Sequence, residues 1–312
     1  MSKQKKWTES EIDDLVALKL VGRSWDEIGK EFGVTPNCAR KAFYRYTDSI
    51  QSGDKSAPRV LVFDIETAPI EAYVWGLFDQ NIGLEMVKQF TTILSWSAKW
   101  LGTDESQVMY RDQRDKKNVR DDKEILKAIW SLLDEADVVL TQNGIRFDSK
   151  KLNARFAIHG MNEPSSYKHI DTLRIAKRKF AFDSNKLAHL TEIFCVKYKK
   201  LDHKAFPGAK LWTECLKGNQ EAFKEMEEYN KHDVLSLEEL YVDHFAKWDN
   251  TIDINWYSDN LVRRCSCGSE KFKFKGFHFT KKGKFRKEVC THCGKEHKDS
   301  ENLFSKEKRK AL

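Results

Sequence analysis

Asp64 and Glu66 close the run Val60-Leu-Val-Phe-Asp-Ile-Glu-Thr67, in which five of the first six residues are apolar. So continuous an apolar run reads as an interior strand with both faces covered. Side chains alternate along a strand, so the two carboxylates project to one face, opposite Leu61, Phe63 and Ile65. Side by side they repel and lose hydration unless a cation joins them, and hard oxygen ligands suit Mg²⁺ or Mn²⁺. Alone, a D-x-E pair equally fits a strand running out into solvent. A metal site needs further carboxylates from elsewhere in the chain.

Two stretches supply them. In Asn143-Gly-Ile-Arg-Phe-Asp148 a buried strand from Asp137 ends, Gly144 permits a sharp turn, Phe147 anchors it, and Asp148 opens a helix reaching His159. Taken singly, that aspartate is an ordinary helix N-cap. In Tyr229-Asn-Lys-His-Asp233, late in a helix beginning near Gln220, Tyr229 and Asp233 lie four apart and share a helical face.

In order, strand D-x-E, then N-G-x-x-F-D 84 residues after Asp64, then Y-x-x-x-D 85 residues after Asp148, the chain resembles the proofreading 3′→5′ exonucleases of the DEDD superfamily, tyrosine branch, of bacterial and phage type. His169-Ile-Asp171-Thr-Leu173 adds to the likeness, which covers roughly residues 59–248. The histidine branch would place His at position 228, which is Glu. The resemblance implies catalytic residues Asp64, Glu66, Asp148, Tyr229 and Asp233 and two Mg²⁺ or Mn²⁺ ions, about 3.5–4 Å apart in such sites. Asp64 would bridge both ions, Glu66 and Asp233 would complete the site holding the nucleophilic water, Asp148 would support the second ion through water, and Tyr229 would orient the water. Asp171 matches a family position that is not a direct ligand.

Positioning these residues takes a mixed α/β core. Thr92–Trp100 and Gln107–Tyr110 read as strands, and Lys123–Glu135 as an amphipathic helix with Ile125, Leu126, Ile129, Leu132 and Leu133 at helical spacing. Helices follow from Leu173 to Trp248. Three early strands, a helix, a strand and then helices predict a ribonuclease-H-like mixed sheet flanked by helices.

Smaller units flank this core. Capping boxes at Thr8-x-x-Glu11 and Ser24-x-x-Glu27, a turn at Gly33-Val34 and Thr35-Pro36 as N-cap and first helical residue predict three short helices over residues 7–46. The third carries Asn37, Arg40, Lys41, Tyr44 and Arg45, with Ala39 and Phe43 left for packing. The pattern is that of a helix-turn-helix presenting a basic helix to a major groove, and it is similar to Myb-like and resolvase-type trihelical domains. Residues 47–58, polar with Gly and Pro, read as a linker.

At the other end, Cys265-Ser-Cys267-Gly and Cys290-Thr-His-Cys293-Gly are two paired-thiol knuckles with 22 residues between them. Four thiolates suit one closed tetrahedral, structural Zn²⁺ site. The first pair is C-x-C where zinc ribbons usually have C-x-x-C, which leaves His292 or His297 as a replacement for one cysteine. Between the knuckles Lys271–Lys275 and Phe277–Thr280 alternate like a hairpin ending at Gly283. The segment resembles the zinc ribbons of transposases and phage nucleases, and Lys273 and Lys275, interleaved with aromatics, fit nucleic-acid contact.

The totals agree. The 312 residues are 40% hydrophobic and 33% charged, with net charge +7. Residues 1–58 carry 10 Lys+Arg against 9 Asp+Glu, residues 59–257 carry 29 against 32, and residues 258–312 carry 16 against 7. The basicity therefore sits in the C-terminal segment and points to a polyanion partner such as nucleic acid; DNA is the partner expected ahead of RNA. No apolar run reaches membrane-spanning length, and the first residues lack a secretory signal's apolar core. The expected setting is the cytoplasm of a bacterial or phage-infected cell. The predicted division is 1–46 helix-turn-helix, 47–58 linker, 59–257 exonuclease domain and 258–312 zinc ribbon with basic tail. A transposase- or integrase-like strand-transfer enzyme competes, but leaves Tyr229 and Asp233 unexplained. A DNA-binding regulator with an inactive core competes too, although every expected site residue is present.

Overall fold

The computed structural model describes residues 7–20, 23–43, 58–199, 201, 205–253, 257, 262–265, 267 and 269–312. Tyr44, Arg45 and almost all of the expected linker lie outside the described residues.

The chain begins with α1 (Glu9–Leu20), α2 (Trp25–Glu31) and α3 (36–43). Both capping boxes form: Glu11 N–H donates to Thr8 Oγ1 while Thr8 N–H donates to Glu11, and Ser24 and Glu27 do likewise. Cys38 N–H donates to Thr35 Oγ1 at 3.2 Å, so Thr35 does cap α3. Leu15, Ile28, Ala39 and Ala42 are buried between the three helices.

The core strands and helices follow as β1 (Val60–Thr67), the small hairpin β2 (Glu71–Ala72) and β3 (Val87–Gln89), β4 (Ile93–Trp100), β5 (Met109–Asp112), α4 (Lys123–Glu135), β6 (Val138–Thr141), α5 (Asp148–Ile158), β7 (Lys168–Asp171), α6 (Thr172–Lys179), α7 (Leu187–Phe194), α8 (Lys210–Leu216) and α9 (Gln220–Glu239). α9 runs on into a π-helical turn, Leu240–Phe245.

The central sheet has the order β5-β4-β1-β6-β7. β1 pairs antiparallel with β4 and parallel with β6, so the strand carrying the D-x-E pair lies at the middle of a mixed sheet. Its alternation divides the core. Leu61, Phe63 and Ile65 pack with Ile125, Leu126, Ile129 and Phe156 of α4 and α5. Val62, on the other side, packs with Ile175, Leu190, Val234 and Leu237 of α6, α7 and α9. Asp64 and Glu66 share the Val62 parity and therefore face α9. Asp122, just before α4, ties the first layer together: it accepts from Ile93 N–H at 2.8 Å and from Arg155 of α5 at 2.7 Å through both oxygens.

The C-terminal part is a three-stranded sheet of β8 (Phe272–Thr280), β9 (Gly283–Cys290) and β10 (Glu296–Lys298), followed by α10 (Lys306–Ala311). The two alternating segments expected to form a hairpin with each other belong instead to one strand, β8, whose partner is β9. Lys295 joins this sheet to the core, donating to the Asp249 carbonyl at 2.5 Å. Among the described residues no helix is long and apolar enough to cross a membrane.

Candidate active site and metal centre

Asp64 and Glu66 from β1 and Asp233 from α9 each offer a carboxylate oxygen, and all three lie within 4.8 Å of one another. The sheet supplies two acids from one strand face and the helix packed on that face supplies the third. Three carboxylates so close repel strongly without a cation, and an all-oxygen donor set is that of a hard divalent ion.

Asp148, the fourth acid, stands apart from that trio. It is buried at the start of α5, and its Oδ1 accepts from Ile65 N–H of β1 at 3.2 Å. Burial, with the Asp171 charge adding to it, raises its carboxyl well above the usual range.

The loop delivering Asp148 is built differently from the sequence expectation. Gly144 is confined, since a Cβ there would lie 2.2 Å from Thr141 Oγ1. The left-handed residue is Asn143, with φ 66°, a conformation asparagine tolerates better than most residues. Phe147, expected to anchor the turn, is 38% exposed. The anchor is Asp171, which accepts from Asn143 N–H at 2.9 Å, Ile145 N–H at 3.4 Å and, as N-cap of α6, Leu173 N–H at 3.0 Å. Asp171 is thus a positioning residue. His169 supports the same loop: its Nε2 lies 2.7 Å from Thr141 Oγ1, which accepts from Gly144 N–H at 3.1 Å. Burial pushes the His169 imidazole down to about 4, so near neutral pH it is uncharged and can accept from the threonine.

Tyr229 is 8% exposed and lies one turn before Asp233 on α9. Burial raises its hydroxyl far above the ordinary value, and Asp233, Glu66 and Asp64 raise it further. The phenol keeps its proton and can act only as donor or acceptor.

Two buttressing residues lie outside the expected set. Asn230, fully buried, donates from Nδ2 to Asp64 Oδ2 at 2.7 Å, and its own carbonyl faces Ser95 Oγ at 3.4 Å. It sits inside the Tyr229–Asp233 motif, and its place on the β1-facing side of α9 could have singled it out. Trp212 of α8 donates from Nε1 to Glu66 Oε2 at 2.9 Å and meets the Tyr229 ring edge-on at 6.2 Å. Nothing in the sequence around Trp212 announces that contact.

The four cysteines of the C-terminal part also come together, their Sγ atoms within 4.8 Å of one another. Cys265 and Cys293 approach to 3.5 Å and Cys267 and Cys290 to 3.6 Å. Tetrahedral Zn²⁺ with Zn–S of about 2.3 Å separates its sulfurs by roughly 3.8 Å, so the thiols fit such an ion. The tight C-x-C pair supplies both its sulfurs. His292 is exposed, and His297 Nε2 lies 3.1 Å from Cys265 Sγ, beside the group rather than within it.

The basic residues expected to touch nucleic acid are differently engaged. Arg40 is buried, ion-paired with Asp134 and held over the Trp130 ring of α4, and Lys41 donates to the Ser166 carbonyl at 3.3 Å. Asn37 Oδ1 accepts from Arg40 at 3.2 Å. This face of α3 docks the helical unit on the core. Arg45 lies outside the described residues. Lys275 pairs with Glu296. Lys273 stands opposite Val289 in the ladder.

No curated protein matches the chain. Among solved structures, the family B DNA polymerase of the hyperthermophilic archaeon Pyrobaculum calidifontis aligns with 17% identity and a TM-score of 0.45, over 60% of this chain and 24% of that one. The chain therefore spans about a quarter of the polymerase's length. A family model described as the RNase_H superfamily matches residues 61–244, a span that holds the three convergent carboxylates, Asp148 and Tyr229. With the mixed five-stranded sheet, that match over more than half of its length makes this chain a member of the RNase H superfamily.

Proposed function

We propose that the protein is a metal-dependent 3′→5′ exonuclease that hydrolyses phosphodiester bonds of nucleic acid, DNA in preference to RNA. The observation that carries this reading is the convergence of Asp64, Glu66 and Asp233 within 4.8 Å, with Tyr229 a turn before Asp233 on the same helix. The direction of digestion rests on the motif set that resembles the tyrosine branch of proofreading exonucleases. Asp64, Glu66 and Asp233, with Asp148 behind them, would hold two Mg²⁺ or Mn²⁺ ions. Such ions, when bound, activate water and neutralise charge developing on the phosphate. The chain's own groups do the positioning. Asn230 and Trp212 fix Asp64 and Glu66, and the protonated Tyr229 hydroxyl orients the attacking water rather than taking its proton.

We assign Zn²⁺ to the four cysteines as a structural ion, and read residues 1–46, 59–257 and 258–312 as helical, nuclease and ribbon units. A 5′-labelled single-stranded oligonucleotide, incubated with protein and Mg²⁺, tests the reading. Successive one-nucleotide shortening from the 3′ end is expected. Internal cuts, shortening from the 5′ end or strand-transfer products would overturn it.

A further inference from the structure

Simple alternation along β8 would put Phe274 on one face and Phe277 and Phe279 on the other. The register shift between Phe274 and Gly276 inserts an extra residue into the strand, and Gly276 adopts φ 121°, a conformation open essentially to glycine. The bulge resets the alternation. Phe274, Phe277 and Phe279 form a row on one face, with successive ring centroids 5.3 and 6.4 Å apart and exposures of 48%, 40% and 62%. On the neighbouring strand, Arg286 stands opposite Phe277 and Lys284 opposite Phe279. Lys284 Nζ lies 3.9 Å from the Phe277 ring centroid, and the Arg286 guanidinium 5.2 Å from that of Phe274. Residues 271–298 carry ten Lys+Arg against two Asp+Glu.

We propose that this row is a stacking platform for single-stranded nucleic acid, one base to a ring, with Lys284 and Arg286 meeting the phosphates between. The inference deepens the nuclease reading by naming the form of substrate the ribbon holds. Bases in a duplex follow one another about 3.4 Å apart along a strand, and their faces are covered by their neighbours. Rings 5.3 and 6.4 Å apart and turned 70° and 58° to one another suit a strand whose bases have splayed apart rather than stacked on each other, and aromatic side chains hold such bases whatever their sequence. An apolar protein surface fits poorly. It would strip water from Lys284 and Arg286 in the middle of the contact, whereas a polyanion neutralises them.

Binding is measured on the full chain without Mg²⁺, by anisotropy of fluorescein-labelled oligo(dT), oligo(U) and a DNA hairpin duplex across a salt series. Phe277→Ala and Phe279→Ala should each weaken single-strand binding about five- to a hundredfold, with little change for duplex. The salt slope should stay constant in these variants and fall by about 0.7 in Lys284→Ala, which removes one phosphate contact. Phe277→Tyr, which keeps the ring, should bind like the parent protein. One zinc per chain checks that each variant keeps its ribbon. Single-strand binding unchanged in both alanine variants, or duplex binding lost in parallel, would overturn the platform. Hydrolysis of bis(p-nitrophenyl) phosphate, too small to reach from ribbon to carboxylates, reads the nuclease separately. Ring-dependent binding by a chain that hydrolyses nothing would keep the platform and remove the exonuclease.

Discussion

Asn230 offers the sharpest test of how the carboxylates are held. Its amide is fully buried and donates to Asp64 Oδ2 at 2.7 Å, while Glu66 and Asp233 oppose Asp64 with negative charge. Buried hydrogen bonds to charged groups are worth about 1.5–3 kcal/mol, so Asn230→Ala should lower the stability of the metal-free protein by roughly that amount. Losing a group that orients a metal ligand typically weakens metal affinity or activity about 10- to 100-fold, and Mn²⁺ affinity should fall within that range. Asn230→Asp goes further by placing a fourth acid beside Asp64. Sharing one proton between the two acids raises the second ionisation of the pair above the usual carboxylate range. A raised carboxyl leaves stability intact at low pH and removes it as pH climbs above the unfolded value, about 4. The aspartate variant should therefore approach the parent protein in acid and lose stability as pH climbs above about 4, an effect that saturating Mn²⁺ offsets. Urea unfolding followed by tryptophan fluorescence and calorimetric Mn²⁺ titration read both quantities. If Asn230→Ala unfolds at the parent midpoint and binds Mn²⁺ equally well, the amide does not hold Asp64, and the site's preorganisation lies elsewhere.

Asp64→Ala and Asp233→Ala should abolish cleavage without unfolding the chain, because each deletes a proposed metal ligand and relieves repulsion in the metal-free state; circular dichroism beside the digestion assay checks both halves. Tyr229→Phe should leave Mn²⁺ affinity nearly unchanged and slow single-turnover cleavage roughly 10- to 1,000-fold, as expected for a hydroxyl that orients water. Metal analysis should find about one Zn²⁺ per chain, lost on Cys290→Ser while Mn²⁺ binding at the carboxylates persists. His169, held neutral with its value lowered to about 4, penalises the folded state once the unfolded imidazole takes a proton. Stability should fall as pH drops from about 6.5 to 4, by at most about 3 kcal/mol, and His169→Gln should flatten that part of the profile.

Much of the core was legible because its signals are local. The apolar run ending in Asp64 and Glu66 marked the central strand, and alternation alone put both acids on one face. α4 spans Lys123–Glu135, as its apolar spacing indicated, and α9 begins at Gln220, where a helix was expected. The four-residue step from Tyr229 to Asp233 places both on one side of α9. These are periodicities of two and about 3.6, and a one-dimensional string records them fully.

What remained depends on which elements meet, and separation along the chain hides that. Glu66 meets Trp212 across 146 positions and Asp64 meets Asn230 across 166. Asp171 holds the loop before Asp148, whereas the nearby Phe147 stays exposed. Arg40 looked like a groove-facing cation because its own helix is basic, yet the buried Asp134 that captures it lies on a different element. The C-x-C pair left a histidine ligand open until folding brought four sulfurs together. The phenylalanine row escaped alternation through a single residue inserted between Phe274 and Gly276. Local repulsion, periodicity and turn chemistry are properties of neighbours in sequence and could be read there. Desolvation, ion pairing and the facing of one strand or helix by another exist only once the chain has closed on itself, so the supports of the carboxylates and the surfaces offered to a partner were decided by the tertiary structure.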